Sequence, residues 1–478
     1  MGISILLSPY TMAFNGKNIA DLIHLSPPDP AFESVEYRHA MEFLRTTYPT
    51  SVIKLGLERI TRLLELLGRP QDAFPSIIVA GTNGKGSTCV FIESILSEAG
   101  LMVGTNLSPH LEQPTERIRT GRRDISPIEF SDIIHGISEL VEKQWGDGER
   151  PTYHELMTAA ALVHFASAGV QAAILEVGLG GRYDAANAVD APLAVLTPIG
   201  MDHMDRLGDD IASIAAEKVA VVRPGAMALS AAQEPDATAV FDNAIKKIGA
   251  RMSVQHSGGG RVYYKDGAFY GELHLENKNP RDYRLGIGGA CQGDNARLAI
   301  EAAMVLQRMG LPKGVDYAIT DEAIEAGLRD ARLPGRFEIL SGKPMLVLDG
   351  AHNPHAAKCL SRTLDIINGG QWDLIWGMKS DKVPVDFLRE LARYIGALHL
   401  CPVPGVVSHE ITGLARIAAD EGIPERAVSA NQTPEGALCE ALATTSGNGR
   451  ILITGSLYLA GYLRGCLRKG FDCKDGAE

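Results

Sequence analysis

A glycine-rich stretch with one lysine, Val79 to Thr88 (VAGTNGKGST), is the part of the sequence best suited to chemistry. It follows the apolar run Ile77–Ala80 and precedes a segment with helical spacing of apolar residues. Successive backbone N–H groups in such a loop, together with the positive end of a helix, can surround phosphate oxygens, and Lys85 can neutralise their charge. The alternative is an ordinary flexible turn between a strand and a helix. The flanking elements favour a phosphate-binding loop.

The loop departs from the commonest phosphate-binding pattern. It is one residue shorter, and Gly86 separates the lysine from the hydroxyl of Ser87. By itself the loop indicates a nucleotide phosphate and says nothing about the reaction. The elements that must position it are short apolar strands that alternate with helical patterns: SIIVAG precedes STCVFIESILSEAG, and AAILEVG and LAVLTPIG are further buried strands. Such alternation predicts a parallel sheet covered by helices on both faces.

Three other segments complete the expected secondary structure before residue 333. A helical pattern covers Val52–Leu67 and ends at Gly68. Between Val254 and Ile287 apolar and polar residues alternate around Asp266-Gly267, which predicts a small antiparallel hairpin. A helix is predicted from about Asn295 to Met309.

The length of the chain and one Pro-Gly pair indicate the domain organisation. With 478 residues, the chain is too long for one compact core. The Pro-Gly pair in RLPGRFEIL predicts a boundary near Leu333, between a larger domain (residues 32–332) and a second α/β domain (residues 333–478). The second domain holds the apolar runs PMLVLDG, WDLIWGM, ALHLCPV and RILITGS. Residues 1–31 are rich in proline and polar side chains, and we expect a poorly ordered extension there.

Composition and charge narrow the class of protein. The chain is 45% hydrophobic and 22% charged, which is typical of a globular protein. Its formal net charge of −12 argues against a nucleic-acid partner, since phosphate backbones are bound by basic surfaces. The apolar stretch Met157–Val177 is interrupted by His164 and Glu176, which argues against a membrane span. We therefore expect neither a nucleic-acid nor a membrane partner.

The spacing of the cysteines and the N-terminal residues indicate the cellular compartment. The seven cysteines are scattered, odd in number and never spaced C-x-x-C. This pattern argues against a disulfide framework or a zinc site and favours a reducing compartment. The N-terminal MGISILLSPY is short and lacks basic residues, so it is a poor secretory signal. We expect a cytoplasmic protein.

Nine motifs in sequence order connect these observations. They are AGTNGKGS, SPHL, ERI, EVGLGGRYDAAN, MDH, AAEK, LPGRFE, LDGAHNPHAA and GSLYLAG. Together they resemble folylpolyglutamate synthase and dihydrofolate synthase, which belong to the Mur-type ATP-dependent amide ligases, and the match runs from about Val52 to Tyr462. The resemblance implies an α/β fold: an N-terminal P-loop ATPase domain with a parallel sheet, a smaller C-terminal Rossmann-like α/β domain, and an active site in the cleft between them.

The reaction implied by the resemblance joins L-glutamate to the carboxylate of dihydropteroate, of folates, or of both. A carboxylate is a poor electrophile, so the family first makes an acyl phosphate from ATP and then lets the amine displace phosphate. This chemistry needs charge neutralisation on the phosphates, metal ions and positioning of both substrates. The implied cofactors are ATP and two magnesium ions, with potassium as a further candidate cation. The implied catalytic residues are Lys85, Glu176, His203 and Lys218.

The metal ligands are assigned by the same resemblance. Ser108 of SPHL, Glu176 of EVGLGG and His203 of MDH match the family's ligands. Glu176 has independent support, because a carboxylate that ends an apolar strand is costly to bury unpaired; the alternative is an exposed strand-end glutamate. A histidine alone is more often structural, and imidazole is not magnesium's preferred ligand. In the family the lysine matching Lys218 is carbamylated and serves a second metal; the alternative is a solvated helix lysine.

The nucleotide contacts implied by the resemblance come from the loop and from residues far along the chain. Asp349 ends a hydrophobic strand, where ligand crevices of open α/β sheets lie. Arg336 would reach the phosphates from the second domain, and the alternative for this residue is an interdomain salt bridge. The complete set is Thr82, Asn83, Gly84, Lys85, Gly86, Ser87, Asn295, Arg336, Asp349 and His352.

The segments TYHE and RYDAAN match the family's pterin pocket. Three departures from the family pattern concern this pocket: His154 replaces the usual phenylalanine, Lys54 replaces the usual aspartate, and TNLSPH lacks the aromatic residue common before the serine-proline pair. We expect these departures to leave the metal and ATP parts intact and to affect the pterin contacts. A further departure is CPVPGVVS, where relatives often have an arginine after the proline. The implied substrate residues are Thr152, Tyr153, His154, Glu155, Tyr183, Asp184 and Ala185.

Several alternatives stay open. A Mur-type cell-wall ligase acting on UDP-muramoyl substrates is disfavoured, because those enzymes typically have threonine directly after the P-loop lysine. A nucleotide-dependent switch or other non-catalytic binding protein is disfavoured, because it would not need the metal residues. Monofunctional and bifunctional members of the family share these motifs, and TYHE and RYDAAN favour a bifunctional enzyme. We expect a monomer.

Overall fold

The computed structural model describes residues 13–14, 17–18, 23, 25–50, 52, 54–146, 148–255, 260–275, 279–311, 315–470 and 473. It divides into a large unit, Asp29–Leu333, and a small unit made of Met1–Pro28 and Pro334–Glu478. The extension expected at residues 1–31 lies mostly outside the described residues. Within it, β1 (Ala13–Phe14) pairs antiparallel with β2 (Lys17–Asn18).

The large unit is built on an eight-stranded sheet. Its strand order is β10-β9-β8-β3-β7-β4-β5-β6; the first six strands in this order are parallel, and β5 and β6 add an antiparallel edge. The strands are β3 (Ser76–Ala80), β4 (Val103–Asn106), β5 (Ile118–Thr120), β6 (Arg123–Asp124), β7 (Ala172–Glu176), β8 (Leu193–Leu196), β9 (Met227–Ser230) and β10 (Arg251–Val254).

Helices cover both faces of this sheet, as the alternation in the sequence predicts. The central strands β3, β7 and β8 are buried at every residue, which is why they are nearly continuous apolar runs. The helices are α1 (Val35–Thr47), α2 (Glu58–Leu66), α3 (Lys85–Glu98), α4 (Pro127–Gln144), α5 (Tyr153–Ser167), α6 (Met204–Leu207), α7 (Ile211–Val219), α8 (Pro235–Ile248), α9 (Gln292–Met309) and α10 (Asp321–Asp330).

Two predicted elements can be compared directly with the structure. The hairpin around Asp266-Gly267 is confirmed: both residues have positive φ, and a three-stranded antiparallel sheet forms there. The helix predicted from Val52 is wrong at its start, because the helix begins only at Glu58, after Gly56 adopts a φ of 125°. The strands of the small sheet are β11 (Gly260–Lys265), β12 (Ala268–Leu273) and β13 (Arg281–Leu285).

The small unit contains a six-stranded sheet of order β14-β15-β19-β16-β17-β18, parallel except for the pair β14/β15. The four apolar runs predicted from the sequence are its strands β15, β16, β17 and β19. The elements are β14 (Glu338–Gly342), β15 (Met345–Leu348), α11 (Pro354–Ile366), β16 (Trp372–Trp376), α12 (Pro384–Leu391), β17 (Ile395–Leu400), α13 (Ile411–Asp420), β18 (Val428–Ala430), α14 (Pro434–Thr444), β19 (Arg450–Thr454) and α15 (Leu457–Arg468).

The cysteines depart from expectation. Cys439 of α14 and Cys473 form a disulfide, with 5.4 Å between their Cα atoms. The sequence argued against a disulfide framework and did not predict this pair, because a separation of 34 residues shows no pattern in the sequence and only the fold brings the two side chains together. Cys89 and Cys401 are buried free thiols. In the described part of the chain, no helix is both long and apolar enough to span a membrane.

Candidate active site

The glycine loop connects β3, at the centre of the large sheet, with the first turn of α3. Gly84 has a φ of 84° and caps the helix, a backbone conformation that favours glycine. The loop is held by the segment after β8: the N–H groups of Thr82 and Asn83 donate to Pro198 O, over 3.0 and 3.4 Å. Thr82 Oγ1 lies 3.0 Å from Gly200 O. The loop is therefore an anchored element of the sheet's carboxyl edge.

The predicted nucleotide residues Thr82 to Ser87 form this loop, and Asn295 lies beside it. Lys85 Nζ donates to Thr82 O over 3.1 Å, so its ammonium group is folded back over the loop. A methyl group added to Gly84 would clash with Asn295 Oδ1, so Asn295 of α9 lies directly against the loop. Its side-chain amide donates to Gln292 Oε1 over 2.9 Å. The structure thus brings Asn295 to the loop from more than 200 residues along the chain.

Glu176 ends β7, the strand that pairs with β3, and is only 5% exposed. Its Oε2 accepts a hydrogen bond of 2.9 Å from the N–H of Ser108. A methyl group added to Gly86 would lie 3.3 and 3.4 Å from the two carboxylate oxygens. The glycine between the lysine and Ser87 therefore leaves room for a carboxylate against the loop, and the unusual spacing of the motif has a structural reason.

Lys218 lies on α7 and is 5% exposed. Its Nζ donates to Gly81 O, at the start of the loop, over 2.9 Å. Burial and, to a smaller extent, the positive charge of Lys85 lower the pKa of Lys218 to about 7, against the opposing charge of Asp202. The solvated helix lysine considered from the sequence is therefore not what the structure contains.

The predicted metal ligands are brought together only in part. Ser108 and Glu176 are adjacent, while His203 caps the short helix α6 with a φ of 52° and is part exposed. Its Nε2 lies 4.0 Å from Asp202 Oδ1. Within the described ranges, no three His, Cys, Asp or Glu side chains lie close enough to hold a metal ion. A hydroxyl and a carboxylate beside a phosphate loop nevertheless fit magnesium, which takes oxygen ligands and keeps several waters.

The predicted substrate segments meet at Asp184. His154 Nε2 lies 3.1 Å from Asp184 Oδ2, and that oxygen also accepts from the N–H groups of Gly178 and Leu179, each over 3.0 Å. Burial acts to raise the pKa of Asp184, but His154 and the backbone donors outweigh it, so the pKa is lowered. Of the other predicted residues there, Tyr183 is exposed and Ala185 is buried.

Thr152 and Glu155 hold the start of α5. The Thr152 side chain accepts from the N–H of Glu155, and the Glu155 carboxylate accepts from the N–H of Thr152, which together form a capping box. Glu155 also pairs with Arg59 over 3.1 Å, and both side chains are largely buried. These contacts give Thr152 and Glu155 a structural role at the start of α5.

Arg117 is a site residue that sequence reasoning missed, although it belongs to the ERI motif. Its Nε donates to His110 Nδ1 over 2.9 Å, and its Nη1 donates to Ser108 Oγ over 3.3 Å. Its guanidinium lies 5.4 Å from the centre of the Tyr153 ring. Burial lowers the pKa of His110 to about 3, and the charge of Arg117 acts in the same direction. The short distance along the sequence between the SPHL and ERI motifs could have indicated that Arg117 contacts Ser108 and His110.

The small unit has its own cluster of predicted residues, after β15. Asp349 Oδ2 accepts from the N–H of Phe337, and Oδ1 accepts from the N–H of Ala351, each over 2.9 Å. Burial raises the pKa of Asp349, and Arg336 partly offsets this. Arg336 Nη1 donates to Gly335 O over 3.2 Å. Asp349 thus holds the main chain of Phe337, the residue after Arg336, and that of Ala351, in the loop after its own strand.

The third member of this cluster is His352. Its Nδ1 lies 2.8 Å from Gly350 O. In the small unit the structure therefore brings together the three predicted nucleotide residues, although Asp349 uses its carboxylate oxygens on the main chain.

Comparisons with known proteins agree along most of the chain. The family model of the Mur ligase middle domain matches residues 79–303, and that of the Mur ligase, glutamate ligase domain, matches residues 335–457. The dihydrofolate synthase/folylpolyglutamate synthase of Bacillus subtilis is 32% identical over 422 residues, which are 86% of this chain and 95% of the relative.

A second relative is longer than this chain. The probable bifunctional folylpolyglutamate synthase/dihydropteroate synthase of Haloferax volcanii is 34% identical over 447 residues, 90% of this chain and 50% of the relative. The chain thus spans about half the length of the halophilic relatives it matches. Among solved structures, a bifunctional folylpolyglutamate synthase/dihydrofolate synthase from Yersinia pestis, complexed with AMPPNP and a Mn ion, has a TM-score of 0.75 and 30% identity, covering 90% of this chain and 98% of that chain.

Proposed function

We propose that this chain, which belongs to the folylpolyglutamate synthase/dihydrofolate synthase family of Mur-type ligases, is an ATP-dependent ligase that joins L-glutamate to dihydropteroate and to tetrahydrofolates. The proposed roles are folate biosynthesis and polyglutamylation. The single observation that carries the proposal is the packing of Glu176 against Gly86 of the phosphate loop, with Ser108 bound to the same carboxylate. A simple turn has no use for a buried carboxylate in contact with it.

The proposed reaction has two steps, phosphoryl transfer and amide formation. First, a carboxylate oxygen of the substrate attacks the γ-phosphorus of ATP; an O–P bond forms, the bond from that phosphorus to the β–γ bridging oxygen breaks, and ADP leaves. Second, the glutamate nitrogen attacks the carbonyl carbon; a C–N bond forms, the C–O bond to phosphate breaks, and inorganic phosphate leaves. The amine proton passes to solvent. Lys85 and the loop N–H groups stabilise the phosphate charge in the first step.

A divalent metal fits the large unit. Ser108 Oγ and Glu176 would hold it, and when bound it would neutralise phosphate charge and orient the transferred group. The Yersinia pestis structure, which is complexed with a Mn ion, supports the presence of a divalent metal. We propose magnesium as the metal, with a second ion served by His203 and Lys218 and potassium as an additional cation.

Lys218 is proposed to carry a carbamate in the active enzyme. Carbon dioxide reacts with a neutral amine, and a lysine with a pKa of about 7 is substantially neutral at physiological pH. The N–C bond forms with loss of one proton, and the product is a carboxylate of the kind that magnesium prefers. Electron density beyond Nζ in crystals grown with bicarbonate and magnesium supports this assignment; density that ends at Nζ in a fully active preparation contradicts it.

Substrate range and cellular setting complete the proposal. The pterin-type substrate would lie at the segments around His154 and Asp184, which contact each other. We propose a bifunctional enzyme that acts on both dihydropteroate and tetrahydrofolates, as a monomer in the cytoplasm. The Bacillus subtilis relative, which is named for both activities, supports this choice over a cell-wall ligase or a non-catalytic relative.

The test measures ADP formation from ATP and L-glutamate with each acceptor in turn. Dihydropteroate and tetrahydrofolate should both support turnover, and Lys85→Ala should support none. Turnover with only one acceptor contradicts bifunctionality alone. Turnover with UDP-muramoyl substrates in place of both identifies a cell-wall ligase, and ATP binding without turnover on any acceptor identifies the non-catalytic alternative.

A further inference from the structure

Arg117 is a buried cation with no carboxylate partner among the described residues. It lies directly before β5, is 8% exposed, and forms no ion pair with any described Asp or Glu residue. Its neighbour in sequence, Glu116, instead accepts hydrogen bonds from the N–H groups of Leu111, Glu112 and Gln113. Removing an arginine from water without a counter-charge is unfavourable. Such a charge is expected where an anion binds.

The groups that contact Arg117 are neutral. His110 accepts from Arg117 Nε through its Nδ1, and a ring nitrogen that accepts carries no proton, so this imidazole is uncharged. Ser108 Oγ accepts from Nη1, and the Tyr153 ring lies beneath the guanidinium. In the described part of the chain, Nη2 has no hydrogen-bond acceptor. These contacts fix the orientation of the guanidinium and leave its charge and one amino group for a ligand.

Arg117 contacts both halves of the candidate site. Through Ser108 it reaches Glu176, whose carboxylate accepts from the Ser108 N–H and lies against Gly86 of the phosphate loop. Through Tyr153 it touches the first turn of α5. The next residue of that turn, His154, contacts Asp184. A guanidinium that contacts residues of both the phosphate site and the substrate segment can reach a ligand bound to either.

We propose that Arg117 binds the reacting carboxylate of the pteroate or folate substrate and keeps contact with the acyl group during phosphoryl transfer. The inference rests on the proposed ligase function. The carboxylate is an anion before the attack on phosphorus, and the acyl phosphate carries its charge on the phosphate oxygens afterwards. A planar guanidinium can donate to either species, and such charge-assisted bonds are strong in a buried site. His110 and the Tyr153 ring keep the guanidinium oriented throughout.

A binding experiment separates this role from catalysis. The probes are dihydropteroate and its carboxamide, in which the reacting carboxylate is replaced by a neutral group, and their dissociation constants are measured by calorimetry without ATP. The variant is Arg117→Met, which keeps the length of the side chain. The control is Arg62→Met, because Arg62 also lies over an aromatic ring, 4.5 Å from the centre of Trp145, and bonds to the main chain of that residue.

The parent protein should bind the carboxylate more tightly than the amide by about tenfold, the size expected for one charge-assisted hydrogen bond. Arg117→Met should bind both probes equally, and Arg62→Met should keep the parental preference. A preference retained in Arg117→Met overturns the role of Arg117 alone. A parent that binds neither probe overturns the proposed substrate, and the inference with it.

A second variant keeps the test decisive if Arg117→Met does not fold. Arg117→Lys preserves the positive charge but not the planar pair of donors, so its preference for the carboxylate should fall by about threefold while ATP affinity stays parental. An unchanged preference in Arg117→Lys, together with an unchanged ratio of kcat to KM for dihydropteroate, overturns the inference.

Discussion

Lys218 Nζ donates a hydrogen bond of 2.9 Å to the carbonyl oxygen of Gly81, the residue that opens the phosphate loop. The bond joins α7 to the end of β3, across 137 residues of chain. It places a buried amine with a pKa of about 7 at the loop, and Lys85 contributes to that pKa. The positive charge of the loop therefore influences the protonation of Lys218.

Replacing Lys218 with methionine should change how stability depends on pH. The folded pKa of the lysine is about 7, below its ordinary value of 10.5, so the unfolded chain holds more protons between these two values. The parent should therefore gain stability as the pH rises through this interval, and Lys218→Met should not. At pH 6.5 the variant should be the more stable protein by on the order of 2 kcal/mol, and the difference should shrink towards pH 9.5. Urea unfolding in carbonate-free buffer measures it; a difference that does not vary with pH contradicts the lowered pKa.

Gly86→Ala should impair catalysis with little effect on folding. The added methyl group would lie 3.3 Å from a carboxylate oxygen of Glu176, so the carboxylate or the loop must shift. We expect kcat to fall at least about tenfold, because small displacements of catalytic groups are costly. Gly136→Ala is the matched control, since a methyl group meets nothing within 4 Å there and alanine should stabilise α4 by roughly 0.5–1 kcal/mol. Parental kcat in Gly86→Ala is the contradictory result.

Lys85→Ala should abolish ligation and leave the fold intact. The lysine bonds only to Thr82 O among the described residues and belongs to a loop, so its loss removes charge from the phosphate site without opening a cavity. Preorganised contacts of this kind are worth about 3–4 kcal/mol in the transition state, which corresponds to a loss of two to three orders of magnitude in kcat. The control is Lys246→Ala on the exposed side of α8. More than a tenth of parental turnover in Lys85→Ala would indicate a plain turn.

Glu155→Gln distinguishes a structural residue from a substrate residue. The glutamine can still accept from the Thr152 N–H, but it loses the ion pair with Arg59, which then keeps only the exposed Glu149 as a carboxylate partner among the described residues, over 3.6 Å. We expect the variant to be destabilised by about 2 kcal/mol, with dihydropteroate affinity changed less than threefold. Thermal unfolding and calorimetry measure the two quantities. A collapse of affinity at parental stability would support the substrate role that the family resemblance implies.

The amino-acid sequence by itself determined the class of the fold and the place of the phosphate loop. The reason is local: apolar runs such as Ile77–Ala80 and Ala172–Leu175 can only be buried strands, and a glycine loop with a lysine has few uses between a strand and a helix. The hairpin at Asp266-Gly267 follows from the same kind of short-range rule, since both residues accept positive φ.

Tertiary structure alone decided which distant side chains meet, and what each can then do. Nothing in the spacing of Gly86 and Glu176 shows that they touch; the pairing of β3 with β7 decides it. The same holds for Cys439 and Cys473, and for Glu155, whose carboxylate the fold uses for a helix cap and an ion pair. The charge of Arg117 is visible in the sequence, but only the packing of its neighbours decides whether a carboxylate lies beside it, and among the described residues none does.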